Sequence, residues 1–551
     1  MIPTSELLAA LRRYWGYDSF RPLQERIVQS LLRGRDTCVV MPTGGGKSLC
    51  YQLPALLSGK TAVVVSPLIA LMQDQSAQLA QMGIPAAVLN SSVSGEQQTA
   101  LIRKARQGEY RLLYLSPERL ARADTVEWLQ HVPTAFFAVD EAHCISEWGH
   151  EFRPEYRQLK RLRTSFPDRP IAAFTASATQ RVRHDILSQL HLRDPDKYIA
   201  SFHRPNLRYL IRKCAGGEQS SLLVTALRQH AGSSVIVYAP TIEKVKLTIN
   251  LWKEEGIPAI AYHGQMEASE RRQNQELWMS DAVRVLVGTI AFGLGINKAT
   301  VRAVIHLSLP KSIEQYYQEA GRAGRDGDAA DCILLWQKRD AGLLAHFIGQ
   351  INDAAEKERS WERYHTIRRF VESGTCRHRQ ICLHFGERTK WQSCESCDVC
   401  GSLPEWLVEP PDAGISRRRK KIAAPEQGAS ARSPLRHPQP APAAVTPVID
   451  SALREWLREW RSETAKQQGV PAFVVMHDTS LEEICRMQPM SIPQLLRIHG
   501  IGERKAALYG KEIFERLRSF RGHVCPIGLE KNASQEAERY PITSQPKGKP
   551  K

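Results

Sequence analysis

Short apolar runs alternate with longer amphipathic stretches over the first 335 positions of the chain. Residues 37–40, 61–65, 110–115, 134–139 and 171–174 are apolar almost throughout. Such runs read as strands buried on both faces, as in a parallel sheet covered by helices. The alternation resumes near residue 204, with runs at 234–238, 259–262, 283–287 and 303–307. The expected fold class is α/β, a doubly wound parallel sheet at 1–203 followed by a second at 204–335.

Residues 336–402 read as a helical module that ends in a cysteine cluster. Residues 403–448 hold many Pro, Ala, Ser and Arg, including Arg417-Arg418-Arg419-Lys420-Lys421, which predicts a flexible basic linker. Helical periodicity returns over 449–521, where Leu453, Trp456, Leu457 and Trp460 share one face. A small all-α domain is expected there, and a disordered tail at 522–551.

At 551 residues the chain is too long for one core, which agrees with this division. The net charge of +17 favours a polyanionic partner, nucleic acid before membrane. No apolar run is long enough to span a bilayer, and the N-terminus does not read as a signal peptide. Most cysteines are scattered through the predicted elements, so a reducing intracellular setting is expected. The expected location is the cytoplasm, on the nucleoid in a bacterial cell, with the nucleus left open.

Two segments carry the chemistry. Met41-Pro42-Thr43-Gly44-Gly45-Gly46-Lys47-Ser48 joins an apolar strand to a predicted helix. Its glycines let backbone N–H groups converge on phosphate oxygens. Lys47 would reach the β and γ phosphates, and Ser48 would ligate Mg²⁺. Met41 stands where the strict phosphate-loop pattern has Gly. The second segment, Asp140-Glu141-Ala142-His143, closes the run at 134–139. At the carboxyl end of a parallel strand these acids lie beside the phosphate loop, Asp140 to hold Mg²⁺ and Glu141 to polarise the attacking water. Together they specify a nucleotide triphosphatase. The second sheet has no phosphate loop, so the nucleotide is expected in the cleft between the two.

The cysteines Cys394, Cys397 and Cys400 follow a C-x-x-C-x-x-C spacing, with Cys376 or Cys382 as a fourth ligand for structural Zn²⁺. An iron–sulfur cluster is the alternative use of four cysteines.

Residues 10–402 closely resemble the RecQ family of superfamily-two DNA helicases. The resemblance implies two RecA-like domains, ATP as substrate, 3′-to-5′ movement along single-stranded DNA and unwinding of duplex DNA in repair and recombination. Tyr17, Arg21 and Gln24 resemble the family's adenine-reading motif. Ser66, ahead of a predicted helix, resembles its first strand-contacting motif. Trp148, Phe152 and Arg153 match its aromatic loop, expected to stack on unpaired bases. Ser177 belongs to the motif linking the DNA and ATP sites, and residues 287–297 to another near the cleft. Arg322 and Arg325 match the arginine fingers, with Gln318 positioning water or phosphate. Three residues apart, the two arginines would share a helix face. The family pattern favours Cys376 as the fourth zinc ligand. Residues 449–521 resemble an HRDC domain, whose turn Ile498-His499-Gly500-Ile501-Gly502-Glu503-Arg504-Lys505 would bring backbone amides and Lys505 to DNA phosphate.

One departure stands out. Many RecQ proteins carry a winged-helix wedge where this chain has only the Pro-rich residues 403–448. It motivates one rival, a translocase with weak strand separation; an RNA helicase, on the acidic motif shared with RNA-acting relatives, and an ATP-switched annealing scaffold are the others. Expected partners are single-stranded and duplex DNA, with single-strand-binding and recombination proteins beside them, and no membrane.

Overall fold

The structure is a computed structural model and describes residues 2–90, 93–149, 151–289, 298–401, 403–408, 451–470 and 472–523. Its first sheet holds β1 (Thr37–Val40), β2 (Thr61–Val65), β3 (Ala86–Leu89), β4 (Leu112–Leu115), β5 (Thr134–Val139), β6 (Ile171–Thr175) and β7 (Asp196–Ile199). All strands are parallel, in the order β3-β4-β2-β5-β6-β1-β7. Side chains alternate between two cores with the period of two that a strand imposes. Val39, Val64, Ala138 and Phe174 enter one core, and Cys38, Val63, Phe137 and Ala173 the other. That is why the runs look uniformly apolar.

The second sheet holds β8 (Leu207–Lys213), β9 (Ser234–Tyr238), β10 (Ala259–Tyr262), β11 (Val285–Gly288), β12 (Val301–His306) and β13 (Ala330–Trp336). It too is parallel, in the order β10-β11-β9-β12-β13-β8. The apolar runs read from the sequence leave out β3, β7, β8 and β13. Of these, β7 and β8 are edge strands carrying charge, Asp196 and Lys197 in one, Arg208, Arg212 and Lys213 in the other, as edges do to resist further pairing.

Helices Lys338–Gly349, Ala354–Glu372 and Arg377–His384 lead to the cysteine cluster. The expected linker start at 403 is corrected. A helical turn, Glu405–Val408, packs Leu407 into the core of the second sheet. Residues 409–450, with the basic run expected of the linker, and the tail from 524 lie outside the described residues.

The last helices, Ser451–Gln468, Ala472–Val475, Asp478–Met487, Ile492–Leu495 and Glu503–His523, close around Leu457, Trp460, Ile484, Ile498 and Ile513. This unit does not stand apart, because Phe473 and Val474 pack into the core that the two sheets share. Among the described residues, no helix is long and apolar enough to cross a membrane.

Candidate active site

The phosphate loop turns through Gly44 and Gly46, both at positive φ (84° and 80°), where a side chain would be strained. The helix Lys47–Leu57 starts immediately after. Lys47 folds back, its Nζ donating to the Met41 carbonyl at 3.2 Å. Burial holds this ammonium below its ordinary pKa, while Glu141 and Asp140 pull the other way. Ser48 Oγ accepts from Gln75 Nε2 at 3.2 Å, and Tyr51 donates to Gln75 Oε1 at 2.9 Å. Gln75 thus orients the Ser48 hydroxyl. The sequence does not mark this role of Gln75, because the contact spans two βα units.

Arg21 and Gln24 are brought to this loop, and Tyr17 lies close to Arg21. Gln24 Nε2 donates to the carbonyls of Gly45 (3.3 Å) and Gly46 (3.2 Å), while its Oε1 accepts from the Arg21 amide at 2.9 Å. The Arg21 guanidinium donates to the Gly44 carbonyl. Thr43 lies in the same half-exposed loop.

Asp140 and Glu141 follow β5, which is separated from β1 by β6. Burial pushes the Asp140 carboxyl up to about 7, and Glu141 next to it adds to the shift. Glu141 sits at φ 47°, a left-handed backbone rare for a non-glycine and typical of functional sites. Its Oε2 lies 3.3 Å from His143 Nδ1, which also meets Thr175 Oγ1 at 2.9 Å. His143 was quoted in the motif but given no role. The structure makes it the contact between the acids and β6. Tyr156 OH anchors the Asp140 carbonyl at 2.9 Å.

The second sheet supplies the opposite wall. Arg322 and Arg325 do not share a helix face, which corrects that expectation. The helix Ile313–Ala320 ends at Gly321, and Gly324, at φ 53°, turns the chain. Both arginines therefore come from a turn. Arg204 holds it, donating to the carbonyls of Gly321 (2.8 Å), Ala323 (3.1 Å) and Gly324 (2.6 Å). Arg204 was missed; the sequence shows only an Arg where the second apolar series begins, and its burial shows in the structure. Arg325 reaches the phosphate loop, where a Cβ on Gly44 would lie 3.3 Å from its Cγ. Burial, with Arg322 and Arg204 nearby, drags the Arg325 guanidinium down to about 9. Gln318 Nε2 donates to Ser177 Oγ across the cleft at 2.9 Å.

A buried cation cluster facing a Gly-rich loop is costly until an anion arrives, and a triphosphate is that anion. A buried carboxylate held up near 7 next to another acid is likewise relieved by a divalent cation.

The aromatic loop is half-buried rather than core. The Arg181 guanidinium lies 3.0 Å above the Trp148 ring, and Arg359 is at 5.7 Å. Arg157 covers Phe152 at 5.2 Å, and the Arg153 amide donates to Cys144 O at 3.0 Å. Position 150 lies outside the described residues, as do positions 290–297 of the Gly-rich motif.

Ser66 is 2% exposed, and its amide donates to the Leu115 carbonyl at 3.1 Å. One expected DNA contact is corrected. Lys505 is 4% exposed and donates to Val474 O at 3.0 Å. Burial pulls its pKa down to about 8. The turn around it faces protein: a Cβ on Gly502 would lie 2.5 Å from Arg13 O. These glycines serve backbone packing.

The sulfurs of Cys376, Cys394, Cys397 and Cys400 lie within 4.8 Å of one another, and Cys382 is not among them. The Arg377 amide points at Cys397 Sγ, 3.5 Å away. Arg377 Nε and Nη2 also grip Asp398 at 2.9 and 2.8 Å, bracing the loop. Four converging thiols fit a closed tetrahedral zinc site.

Four family models match along the chain: DEAD/DEAH box helicase over residues 21–186, helicase conserved C-terminal domain over 218–327, RecQ zinc-binding over 338–401 and HRDC domain over 450–517. The ATP-dependent DNA helicase RecQ of Pasteurella multocida is 35% identical, across 95% of this chain and 96% of its own. Its namesake in Bacillus subtilis is 31% identical, across 93% and 98%. The solved DUF1998 helicase MrfA bound to DNA and AMPPNP superposes with a TM-score of 0.51 at 20% identity, covering 66% of this chain and 54% of that one. That likeness concerns the fold alone.

Proposed function

The chain belongs to the RecQ family of ATP-dependent DNA helicases, and on that premise we propose that ATP hydrolysed between its two sheets drives 3′-to-5′ movement along one DNA strand and separation of the duplex. The observation that carries this reading is the placement of Arg325 against the phosphate loop of the other domain, beside the Gln318–Ser177 hydrogen bond. The site then works only with the cleft closed, and closure becomes motion.

Lys47, Arg322 and Arg325 stabilise charge on the transferring γ-phosphoryl. Glu141 accepts a proton from the attacking water, with His143 fixing its carboxylate. Ser48 and Asp140 would hold Mg²⁺, which neutralises phosphate charge when bound. Tyr17, Arg21 and Gln24 receive the adenine. Trp148, Phe152 and Arg153 offer stacking surfaces to unpaired bases, beside the acids. The four cysteines hold zinc as a structural staple.

Steady-state ATP hydrolysis with single-stranded DNA, with RNA and with neither tests the reading. DNA should stimulate the wild type strongly and Arg325→Ala hardly at all. Equal stimulation of both proteins would remove Arg325 from the site.

Translocation with weak strand separation is the second reading. The alignment to the Pasteurella multocida helicase runs over 609 positions, so that relative holds segments this 551-residue chain lacks. A strand-displacement assay beside a translocation assay separates the two.

A further inference from the structure

The last helical unit docks on both motor domains through contacts that leave little slack. On the first domain, the Gly500 amide donates to Gly16 O at 3.3 Å. A Cβ on Gly16 would fall 2.5 Å from the Ile501 nitrogen. Arg13 pairs with Glu503 at 3.4 Å, and Tyr509 OH donates to Gln81 Oε1 at 2.6 Å. On the second domain, Arg458 Nη2 meets Asp281 Oδ2 at 2.8 Å, in a buried pair that Lys298 completes at 2.7 Å.

This seat puts one side chain on the nucleotide site. The His499 ring stacks on Tyr17 with centroids 4.4 Å apart and planes 19° apart. Tyr17 packs against the core of the first domain, and His499 covers one face of its ring. Arg21 is near enough to act on the imidazole, together with Glu483 and Asp18. A flat heteroaromatic ring thus rests on Tyr17 with Arg21 beside it, which is the arrangement a purine base would adopt.

We propose that the HRDC unit is a removable cap on the base site, in which His499 takes the stacking place of adenine on Tyr17 and ATP must displace it. The proposal rests on the reading of Tyr17, Arg21 and Gln24 as the base-binding segment. A cap closed most of the time lowers apparent ATP affinity by the fraction of time the site is open. The contact spans both domains, so movement of one against the other would strain it.

The test is the ATP dependence of DNA-stimulated hydrolysis by the full-length protein and two variants, with inorganic tripolyphosphate as a competing probe. His499→Ala should lower the KM for ATP about two- to tenfold, the range of one stacked ring pair, with kcat held. Inhibition by tripolyphosphate, which has no base, should be unchanged. An ATP KM that is unchanged or raised in His499→Ala overturns the cap. So does a matching gain in tripolyphosphate affinity, because the cap would then act on the phosphate loop. Gln24→Ala separates this from failure of the underlying reading. If its preference for ATP over GTP equals that of the parent, the segment does not read the base, and the cap falls with it. Lost preference in Gln24→Ala with a lowered KM in His499→Ala supports both.

Discussion

Lys47 and Lys505 are both buried lysines, and the structure gives them opposite meanings. Lys47 lies among Asp140, Glu141 and Arg325, where a triphosphate completes the charge balance. Lys47→Ala should lower ATP turnover about 100- to 1000-fold while single-stranded DNA binding largely survives, read by steady-state hydrolysis and fluorescence anisotropy. Lys505 instead donates to the Val474 carbonyl at 3.0 Å. Its folded pKa of about 8 lies below the unfolded value of about 10.4. The unfolded chain binds the extra proton, so stability rises with pH across that window and is lost as pH falls through about 8. The burial penalty at pH 7 is about 3 kcal/mol. Lys505→Met should stabilise the protein at pH 7, with the gain shrinking by pH 10 in thermal denaturation and DNA affinity unchanged. A gain independent of pH, or weakened DNA binding, would contradict the burial argument. The two lysines also mark how far residues could be read from sequence. Lys47 was legible because phosphate binding is local to one loop. The Gly-x-Gly turn before Lys505 reads alike whether its glycines admit a phosphate or another backbone, and only the docked neighbour decides.

Elements add what single residues cannot. The zinc-binding stretch, Cys376 to Cys400, gains its order from the metal, since structural zinc supplies folding free energy on the order of 10 kcal/mol. The purified protein should hold one zinc per chain by atomic absorption, and Cys397→Ser should lower its solubility and melting temperature. A metal-free protein melting at the parent temperature would refute the site. The finger turn after the helix Ile313–Ala320 depends on Arg204, and its cross-cleft bond on Ser177 and Gln318. Ser177→Ala should leave basal ATPase within about twofold, yet reduce strand separation per ATP, because one cross-domain bond is worth about 1 kcal/mol. Unchanged unwinding per ATP would remove that bond from the coupling. Interior strands such as β2, β5 and β9 were legible as apolar runs. The edge strands β7 and β8 were not, since solvent exposure mixes charge into them. The finger turn was misread as helix because spacing alone ignores the two glycines that end it.

At the scale of the whole molecule, two parallel sheets, a zinc module and a docked helical unit surround one cleft. The order of these parts was legible from the spacing of motifs. The docking of the last unit on both sheets was not, because its seat joins backbone contacts at Gly16 and Gly500 and buried ion pairs at Asp281 to the short apolar stretch at Phe473 and Val474, and no long apolar run marks it. The family's motor is present, while residues 403–448, in which no strand-separating wedge is expected from the sequence, are described only at 403–408. Whether closure of the cleft opens a duplex is therefore the central claim. Its most direct measurement is ATP-dependent unwinding of duplex DNA bearing a 3′ single-stranded tail, against the same duplex with a 5′ tail. The 3′-tailed substrate should be unwound and the 5′-tailed one left intact. DNA-stimulated hydrolysis with neither substrate unwound, or unwinding from the 5′ tail, would contradict it.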